Sequence, residues 1–286
     1  MEKFSKIIHK ARHPLEIKNP PYLLDHQFEG KPVLPAVESM QILAFSTQYH
    51  LPNTNVNCIL DAKFDKFLYI SPDEKNIVAF NEIEVHENGR IISKLITKSR
   101  PKKTRITRVK EHVTLNFTLS ERKIEKHHFD SGIILEENSF KISTERIYRE
   151  LVPFGPAYHN VKDLLHFSER GVIAKIFSSN FVSHNNSPLG SPFPLDAAFH
   201  AACAWGQRFS HVVAFPIGLK ERHIFRPTRA GKPYITLLIP IQRDPKLLIF
   251  DIWIYGQNGD VFEGVLGAQM RDVSAGRMTP PRWIMK

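Results

Sequence analysis

Hydrophobic positions along the chain recur with the helical period of about 3.6 residues in some segments and with the strand period of two in others. These segments follow in the same order in each half. In the first half, an extended segment at residues 22–30 leads to a proline-marked turn and a helix from residue 36 to about residue 49, with its apolar side chains near one face. Three strand-like segments follow, at residues 76–85, 90–98 and 105–119. A Glu87-Asn88-Gly89 turn separates the first two of them.

The second half repeats this order of elements. A strand-like segment at residues 172–177 precedes two prolines and a helix-like segment from residue 195 to about residue 209. Long strands are then predicted at residues 234–242, 247–255 and 261–272, the last two separated by a hairpin turn. The repeat predicts a set of strands around one buried helix, present twice. The charged segment 120–138 contains the predicted linker, residues 126–137, between predicted units 1–125 and 138–286.

Length and composition narrow the class of protein. The 286 residues suit about two domains or one doubled unit, and 42% hydrophobic with 24% charged residues excludes disorder, coiled coil and collagen. No apolar stretch approaches the roughly 20 residues that span a bilayer, and the N-terminus lacks a signal-peptide core, so we expect a cytoplasmic protein. Two cysteines, Cys58 and Cys203, cannot form a disulfide framework or a thiolate metal site.

The net charge of +10 is compatible with nucleic acid, an anionic membrane surface, or an acidic or phosphorylated partner. Part of it lies in a segment without acidic residues, whose cations are Lys98, Arg100, Lys102, Lys103, Arg105, Arg108 and Lys110. This cation cluster also fits a solvated hairpin tip that turns at Pro101. No aromatic side chain lies among the cations, which argues against binding of single-stranded nucleic acid.

The first candidate for chemistry is the segment His26 to Pro35, an H-x3-G-x4-P pattern directly before the first predicted helix. Gly30 allows a ligand to approach the backbone closely, and Pro35 prepares the first helical turn. The helix N-terminus then offers amide groups to a developing oxyanion. The spacing suits proton abstraction by His26, although a turn histidine beside an ordinary helix start gives the same pattern.

Two further motifs lie in the second half. Phe154-Gly155-Pro156-Ala157-Tyr158 predicts a tight turn between apolar segments. Asp196 lies at the start of the second helix and His200 one turn later, so both side chains share one helix face. The alternative for Asp196 is an ordinary helix N-cap. A metal site formed by Asp196, His200 and His26 is disfavoured because the spacings match no metal signature, and no G-x-S-x-G elbow supports serine catalysis.

Together and in this order, the three motifs resemble the signatures of dehydratase domains from polyketide synthases and animal-type fatty acid synthases. Those signatures are H-x3-G-x4-P, Y-G-P-x-F and D-x3-(Q/H). The segment from Phe215 to Phe225 and the closing strand at residues 261–272 also resemble the family's second-half strands, so the resemblance covers most of the chain. Two positions depart from it: Phe154 and Tyr158 exchange the family's Tyr and Phe, and Ala36 replaces a frequent Gly.

The resemblance implies an α+β double hotdog fold, with two strand-wrapped helices that share a composite active site. It implies that the family removes water from a β-hydroxyacyl thioester on the phosphopantetheine arm of an acyl carrier protein, without a cofactor or a metal. His26 is then the catalytic base, Asp196 the catalytic acid and His200 its support. The expected substrate-binding residues are Gly30, Pro35, Phe154, Gly155, Pro156 and Tyr158.

The implied chemistry sets requirements on the two catalytic groups. A base for the weakly acidic α-proton must be neutral near pH 7, as an imidazole in an apolar tunnel would be. The acid must hold a proton near pH 7, so we expect burial to raise the pKa of Asp196 against the opposing effect of the helix N-terminus.

Some alternatives stay open at this point. A product-template-like cyclase and a double-bond isomerase are two alternative functions on the same double hotdog fold. An acyl- or carrier-binding module without catalysis is a third. The expected partners are an acyl carrier protein and other synthase components such as a ketosynthase. Neither nucleic acid nor a membrane is expected as a partner, and both a monomer and a homodimer remain open.

Overall fold

The structure is a computed structural model that describes residues 5–99, 107–119, 124–130, 132, 139–181 and 187–286. The first half contains one long helix and seven strands among the described residues. The strands are β1 (Ile7–Lys18), β2 (Gln27–Phe28), β3 (Lys31–Pro32), β4 (Asn55–Phe64), β5 (Asn76–His86), β6 (Arg90–Ser99) and β7 (Arg108–Thr118). α1 spans Ala36–His50. The predicted helix is thus confirmed, and the start of the third predicted strand, residues 105–106, lies outside the described residues.

The described residues of the second half contain seven strands and three helical segments, of which Pro156–Tyr158 is a single 3-10 turn. The strands are β8 (Phe140–Ser143), β9 (Val161–Ser168), β10 (Gly171–Phe177), β11 (Phe215–Ile224), β12 (Pro233–Asp244), β13 (Leu247–Tyr255) and β14 (Val261–Arg271). The short helix α2 (Thr144–Arg146) continues as one π-helical turn, Ile147–Leu151, and the long helix α3 spans Phe193–Phe209. The predicted helix and strands of this half are present with boundaries shifted by one to two residues.

Twelve of the described strands form one antiparallel sheet in the order β1-β5-β6-β7-β4-β11-β14-β13-β12-β10-β9-β8. The first-half strands therefore occupy one side of the sheet and the second-half strands the other. They meet where β4 pairs with β11, at Ala62 opposite Leu219 and Lys63 opposite Gly218. A Cβ at position 218 would lie 2.5 Å from the carbonyl oxygen of Ala62, so only glycine permits this close pairing.

The two long helices are enclosed by the sheet. In α3, every residue from Phe193 to Gln207 is buried. A helix that is apolar around most of its circumference must be enclosed, and the alanines of α3 let the sheet approach closely. In α1, burial includes the polar side chains of Glu38, Ser39 and Gln41. Helix α1 thus brings polar groups into the interior, where the candidate site lies.

The described part of the predicted linker packs on the outer sheet surface. Nδ1 of His127 lies 3.0 Å from the Tyr255 hydroxyl, and Phe129 packs edge-on against the Tyr255 ring. The buried residues of this surface are Ile173, Leu237, Trp253 and Tyr255, which form an apolar cluster separate from the main core. The boundaries of the two units and of the linker stay a prediction.

One sequence prediction for the first half is wrong. The segment at residues 22–30 is not extended throughout, because residues Pro21–Asp25 form a 3-10 helix and β2 and β3 form a short hairpin after it. Pro21 at the first helical position favours this turn because its fixed φ suits a helix start.

Among the described helices, none combines the length and the apolar character that a membrane span requires.

Candidate active site

His26 lies at the end of the 3-10 helix Pro21–Asp25. Its N–H donates to the carbonyl oxygen of Leu23 (3.3 Å), and its carbonyl oxygen accepts a hydrogen bond from the N–H of Val33 (2.9 Å). The hairpin between these two residues turns at Glu29 and Gly30, which have positive φ values of 48° and 74°. Gly30 is therefore required by the turn that fixes His26, because the left-handed region is costly for residues with a Cβ.

Asp196 and His200 lie in the first two turns of α3, buried and on one face. Nε2 of His200 is 3.0 Å from Oδ2 of Asp196, within ion-pair distance. Oδ1 of Asp196 is 3.9 Å from Nε2 of His26. The structure thus brings together the three predicted catalytic residues, one from the first half and two from the second.

All three side chains line one cavity of about 770 Å³. This volume lies within the range of roughly 300–1,000 Å³ that is usual for ligand pockets. Phe154, Phe199 and Cys203 also line the cavity, as do residues 64–69 and 270–273. Of the predicted substrate-binding residues, Phe154 lines the cavity, whereas Gly30, Pro35, Gly155, Pro156 and Tyr158 do not.

Phe154 and Tyr158 hold the His26 ring from two sides. The Phe154 ring stacks on His26 with centroids 4.3 Å apart and lies 4.9 Å from the His200 ring. The Tyr158 ring meets His26 edge-on at 5.1 Å. The Tyr158 hydroxyl is buried and makes no hydrogen bond to the described residues. At the first aromatic position of the motif, Phe154 therefore supplies an apolar contact between two imidazoles instead of a phenolic hydrogen bond.

Gly155 docks the motif onto Asp25, the residue before His26. The N–H of Gly155 donates to the Asp25 carbonyl oxygen (2.8 Å), and the N–H of Ala157 donates to the Asp25 carboxylate (2.9 Å). A Cβ at position 155 would lie 2.3 Å from Cγ of Asp25. The second half thus fixes the backbone beside His26 through Asp25, and this contact requires glycine.

We expect Gly155→Ala to lower both stability and activity because the added methyl group would displace Asp25 and, with it, His26. Overpacking of this kind costs about 1–3 kcal/mol, which thermal unfolding of the purified variant measures. In an Asp25→Gly background the same substitution meets neither the carboxylate nor the Cβ of residue 25, so its additional cost should nearly vanish. An equal cost in both backgrounds would contradict this role of Gly155.

The electrostatic environment keeps His26 neutral. Burial is the largest influence and lowers the pKa of His26 from 6.5 to about 4, and His200 acts in the same direction. The charge of Asp196 and the backbone of Val33 raise the pKa of His26 and offset part of this lowering. Nδ1 of His26 makes no hydrogen bond to the described residues. Near pH 7 His26 is therefore an unprotonated imidazole that can accept a proton.

Asp196 differs from the sequence-based expectation. Burial is again the largest influence and raises the pKa of Asp196, but His200 and His26 together outweigh it, and the net pKa lies below the ordinary value of 3.8. The prediction that burial keeps Asp196 protonated is therefore wrong for the free site, which holds a carboxylate beside a neutral base.

Sequence reasoning missed two buried side chains at the site. The Tyr148 hydroxyl lies 3.3 Å from Nδ1 of His200. His112 lines the cavity, with Nε2 at 2.8 Å from the Thr97 hydroxyl and Nδ1 at 3.2 Å from the Lys66 carbonyl oxygen. Neither residue has a spacing in the sequence that connects it with the three motifs. Within the described ranges, no group of three or more His, Cys, Asp or Glu side chains is arranged to hold a metal ion.

Three solved structures with the same architecture are dehydratase domains. The dehydratase domain from the CurF module of curacin polyketide synthase superimposes with a TM-score of 0.74 at 16% identity, covering 94% of this chain and 95% of that one. The dehydratase domain of RzxB from Pseudomonas fluorescens gives 0.73 at 12% identity, with 91% and 94% covered. A trans-AT polyketide synthase dehydratase domain from Brevibacillus brevis gives 0.72 at 17% identity, with 95% and 96% covered.

These likenesses confirm the predicted α+β double hotdog fold. The family model described as polyketide synthase dehydratase N-terminal domain matches residues 134–280, just over half of the chain. The protein therefore belongs to the polyketide synthase dehydratase family, as the motifs predicted. Although the family model is described as an N-terminal domain, it matches the second half of this chain. The matched residues include Asp196 and His200 but not His26. No curated protein sequence matches the chain.

Proposed function

We propose that the protein removes water from a β-hydroxyacyl thioester carried on an acyl carrier protein and releases the α,β-unsaturated thioester, with no cofactor or metal. One observation supports this best: His26 and Asp196, from opposite halves, face one cavity with Nε2 and Oδ1 3.9 Å apart. A base and a second proton-transfer group at this separation suit a substrate whose α-hydrogen faces one group and whose β-hydroxyl faces the other.

In the proposed reaction, neutral His26 accepts the α-proton. The electrons of the broken Cα–H bond form the double bond between Cα and Cβ, and the bond between Cβ and the hydroxyl oxygen breaks. The first turn of α1 supports the charge that develops on the thioester oxygen, because Ala36 lines the cavity and the first amides of a helix lack internal partners. Gly30, which does not line the cavity, has no part in this step.

The proton balance of the reaction explains how an ionised Asp196 can act as the acid. One proton leaves Cα and one proton is needed by the departing hydroxyl, so the reaction requires no proton from outside. Once His26 is protonated, it is a cation beside the Asp196 carboxylate. We propose that this proton passes through Oδ1 of Asp196 to the hydroxyl, which leaves as water and returns both groups to their starting states.

An acyl carrier protein is the proposed partner because the net charge is +10 and the cavity rim includes exposed cations. Lys66, Lys110 and Arg271 line the cavity and are exposed, as a phosphate-bearing arm at its entrance would require. Of the cation cluster, Arg100, Lys102, Lys103 and Arg105 lie outside the described residues. Its part in carrier binding therefore stays a prediction, as do contacts with a ketosynthase.

The test is turnover of a β-hydroxyacyl pantetheine thioester by the purified protein. We expect the conjugated thioester to appear by absorbance and the mass to fall by one water, and we expect His26→Ala to abolish both signals. Cyclisation of a poly-β-keto thioester without water loss from the hydroxyacyl substrate would indicate a cyclase instead. Migration of an existing double bond would indicate an isomerase, and binding without turnover a non-catalytic module.

A further inference from the structure

Tyr148 reaches the side of His200 that faces away from Asp196. It lies in the π-helical turn Ile147–Leu151, which is closed by a hydrogen bond from the N–H of Val152 to the carbonyl oxygen of Ile147 (2.9 Å). A π turn adds one residue to a helix and redirects its side chains, and such turns are frequent at functional sites. The Tyr148 ring is buried, meets the His200 ring at 85° and stacks on His159.

The direction of the hydrogen bonds at Tyr148 follows from its second contact. The N–H of Val161 lies 2.9 Å from the Tyr148 hydroxyl oxygen and can only donate, so this oxygen is the acceptor. The hydroxyl hydrogen is then free to point to Nδ1 of His200, 3.3 Å away. Burial raises the pKa of Tyr148 well above its ordinary value, so the phenol keeps this hydrogen at every working pH.

We infer that Tyr148 is a positioning residue that fixes the tautomer of His200. When the His200 ring is neutral, a hydrogen bond from this hydroxyl to Nδ1 places the ring hydrogen on Nε2, where it faces Oδ2 of Asp196. In the opposite tautomer, a ring lone pair would face the carboxylate at 3.0 Å and repel it. Oδ1 of Asp196 then remains available to His26 and the substrate. The kinetic part of this inference rests on the proposed function.

The first test reads the tautomer directly in the intact protein. Long-range ¹⁵N–¹H NMR spectra of histidine-labelled protein distinguish a hydrogen on Nε2 from one on Nδ1, and His200→Gln identifies the His200 signals. We expect the Nε2–H form in the wild type and a larger share of the Nδ1–H form in Tyr148→Phe, where only Asp196 still favours the Nε2–H form. Finding the Nδ1–H form in the wild type would overturn the inference, whether or not the variant folds and whether or not the protein is a dehydratase.

The second test is kinetic and uses a matched tyrosine. Tyr234 is also buried and accepts a backbone hydrogen bond, from the N–H of Arg229 at 2.7 Å, but it does not line the cavity. We expect Tyr148→Phe to lower kcat about tenfold with KM changed less than twofold, since one oriented hydrogen bond is lost. Tyr234→Phe should leave kcat and the His200 tautomer unchanged. Wild-type kcat and an unchanged tautomer in Tyr148→Phe would overturn the inference.

Discussion

An Asp196→Asn protein is expected to fold as the wild type does and to lose about a thousandfold of kcat/KM. The amide has nearly the same shape as the carboxylate and can still place an oxygen beside His200. It cannot receive a proton from His26 and pass it to a leaving hydroxyl, and proton transfer by a positioned side chain contributes about 10²–10⁴-fold. Steady-state kinetics with the hydroxyacyl pantetheine thioester measure the loss.

Stability separates this effect from simple damage to the fold. The folded pKa of Asp196 lies below its ordinary value, so the fold stabilises the charge, and Asp196→Asn should lower the melting temperature while the protein stays folded at the assay temperature. The matched control is Asp251→Asn in the same half. Asp251 is half-buried, burial raises its pKa, and it accepts from the N–H of Gly267 (2.8 Å), but it does not line the cavity.

We expect Asp251→Asn to retain wild-type kcat/KM. Asp196→Asn should also lower the pKa of His26 further, since the Asp196 charge now raises that pKa. A variant with full activity at position 196 would show that the proton reaches the hydroxyl by another route and would remove the main support for the proposed pair.

The strongest parts of the fold could be predicted because they are regular and enclosed. The spacing of apolar residues locates both long helices, and strands such as β13 are located as short runs rich in Ile and aromatic side chains between turn signals. The edge strand β1 escaped prediction because most of its residues are exposed and its pattern lacks a continuous apolar face. β8 spans four residues, too few for a period to be recognised.

The candidate site could be predicted only as far as its motifs extend along the chain. The order of the motifs placed His26 and Asp196 in opposite halves, and the i, i+4 spacing placed His200 beside Asp196. The need for Gly155 comes from Asp25, which is distant in sequence and meets it only across the contact between the halves. The lowered pKa of Asp196 also depends on where two imidazoles lie in space, so burial alone predicted the wrong direction.

The buried imidazole of His26 is expected to make both activity and stability depend on pH in an unusual range. With a pKa of about 4 instead of 6.5, the neutral base is still the dominant form at pH 5. We therefore expect the acid limb of kcat/KM to fall near pH 4, with a tenfold loss for each pH unit below it. An ordinary histidine base would already lose most of its activity at pH 5.

The folded pKa of His26 is lowered, whereas that of a salt-bridged histidine is raised, so the two change stability with pH in opposite directions. Between pH 6.5 and about 4, the unfolded chain binds a proton at His26 and the folded chain does not. Protons then favour unfolding, so stability is complete above pH 6.5, falls as the pH is lowered to about 4 and is constant below that. The shift of about 2.5 pKa units corresponds to at most about 3 kcal/mol, since the side chain keeps 16% exposure.

Urea unfolding of the wild type and His26→Gln at pH 4.5 and pH 7 measures this contribution. We expect the wild type to lose more stability on acidification than the variant does. The control is His166→Gln, because burial also lowers the pKa of His166, which lies in β9 outside the cavity and is more accessible to water. The loss of stability between pH 7 and pH 4.5 should differ much less between His166→Gln and the wild type than between His26→Gln and the wild type. An acid limb at pH 6 to 7, with wild type and His26→Gln equally sensitive to acid, would show that water reaches His26 and that its base strength is not set by burial.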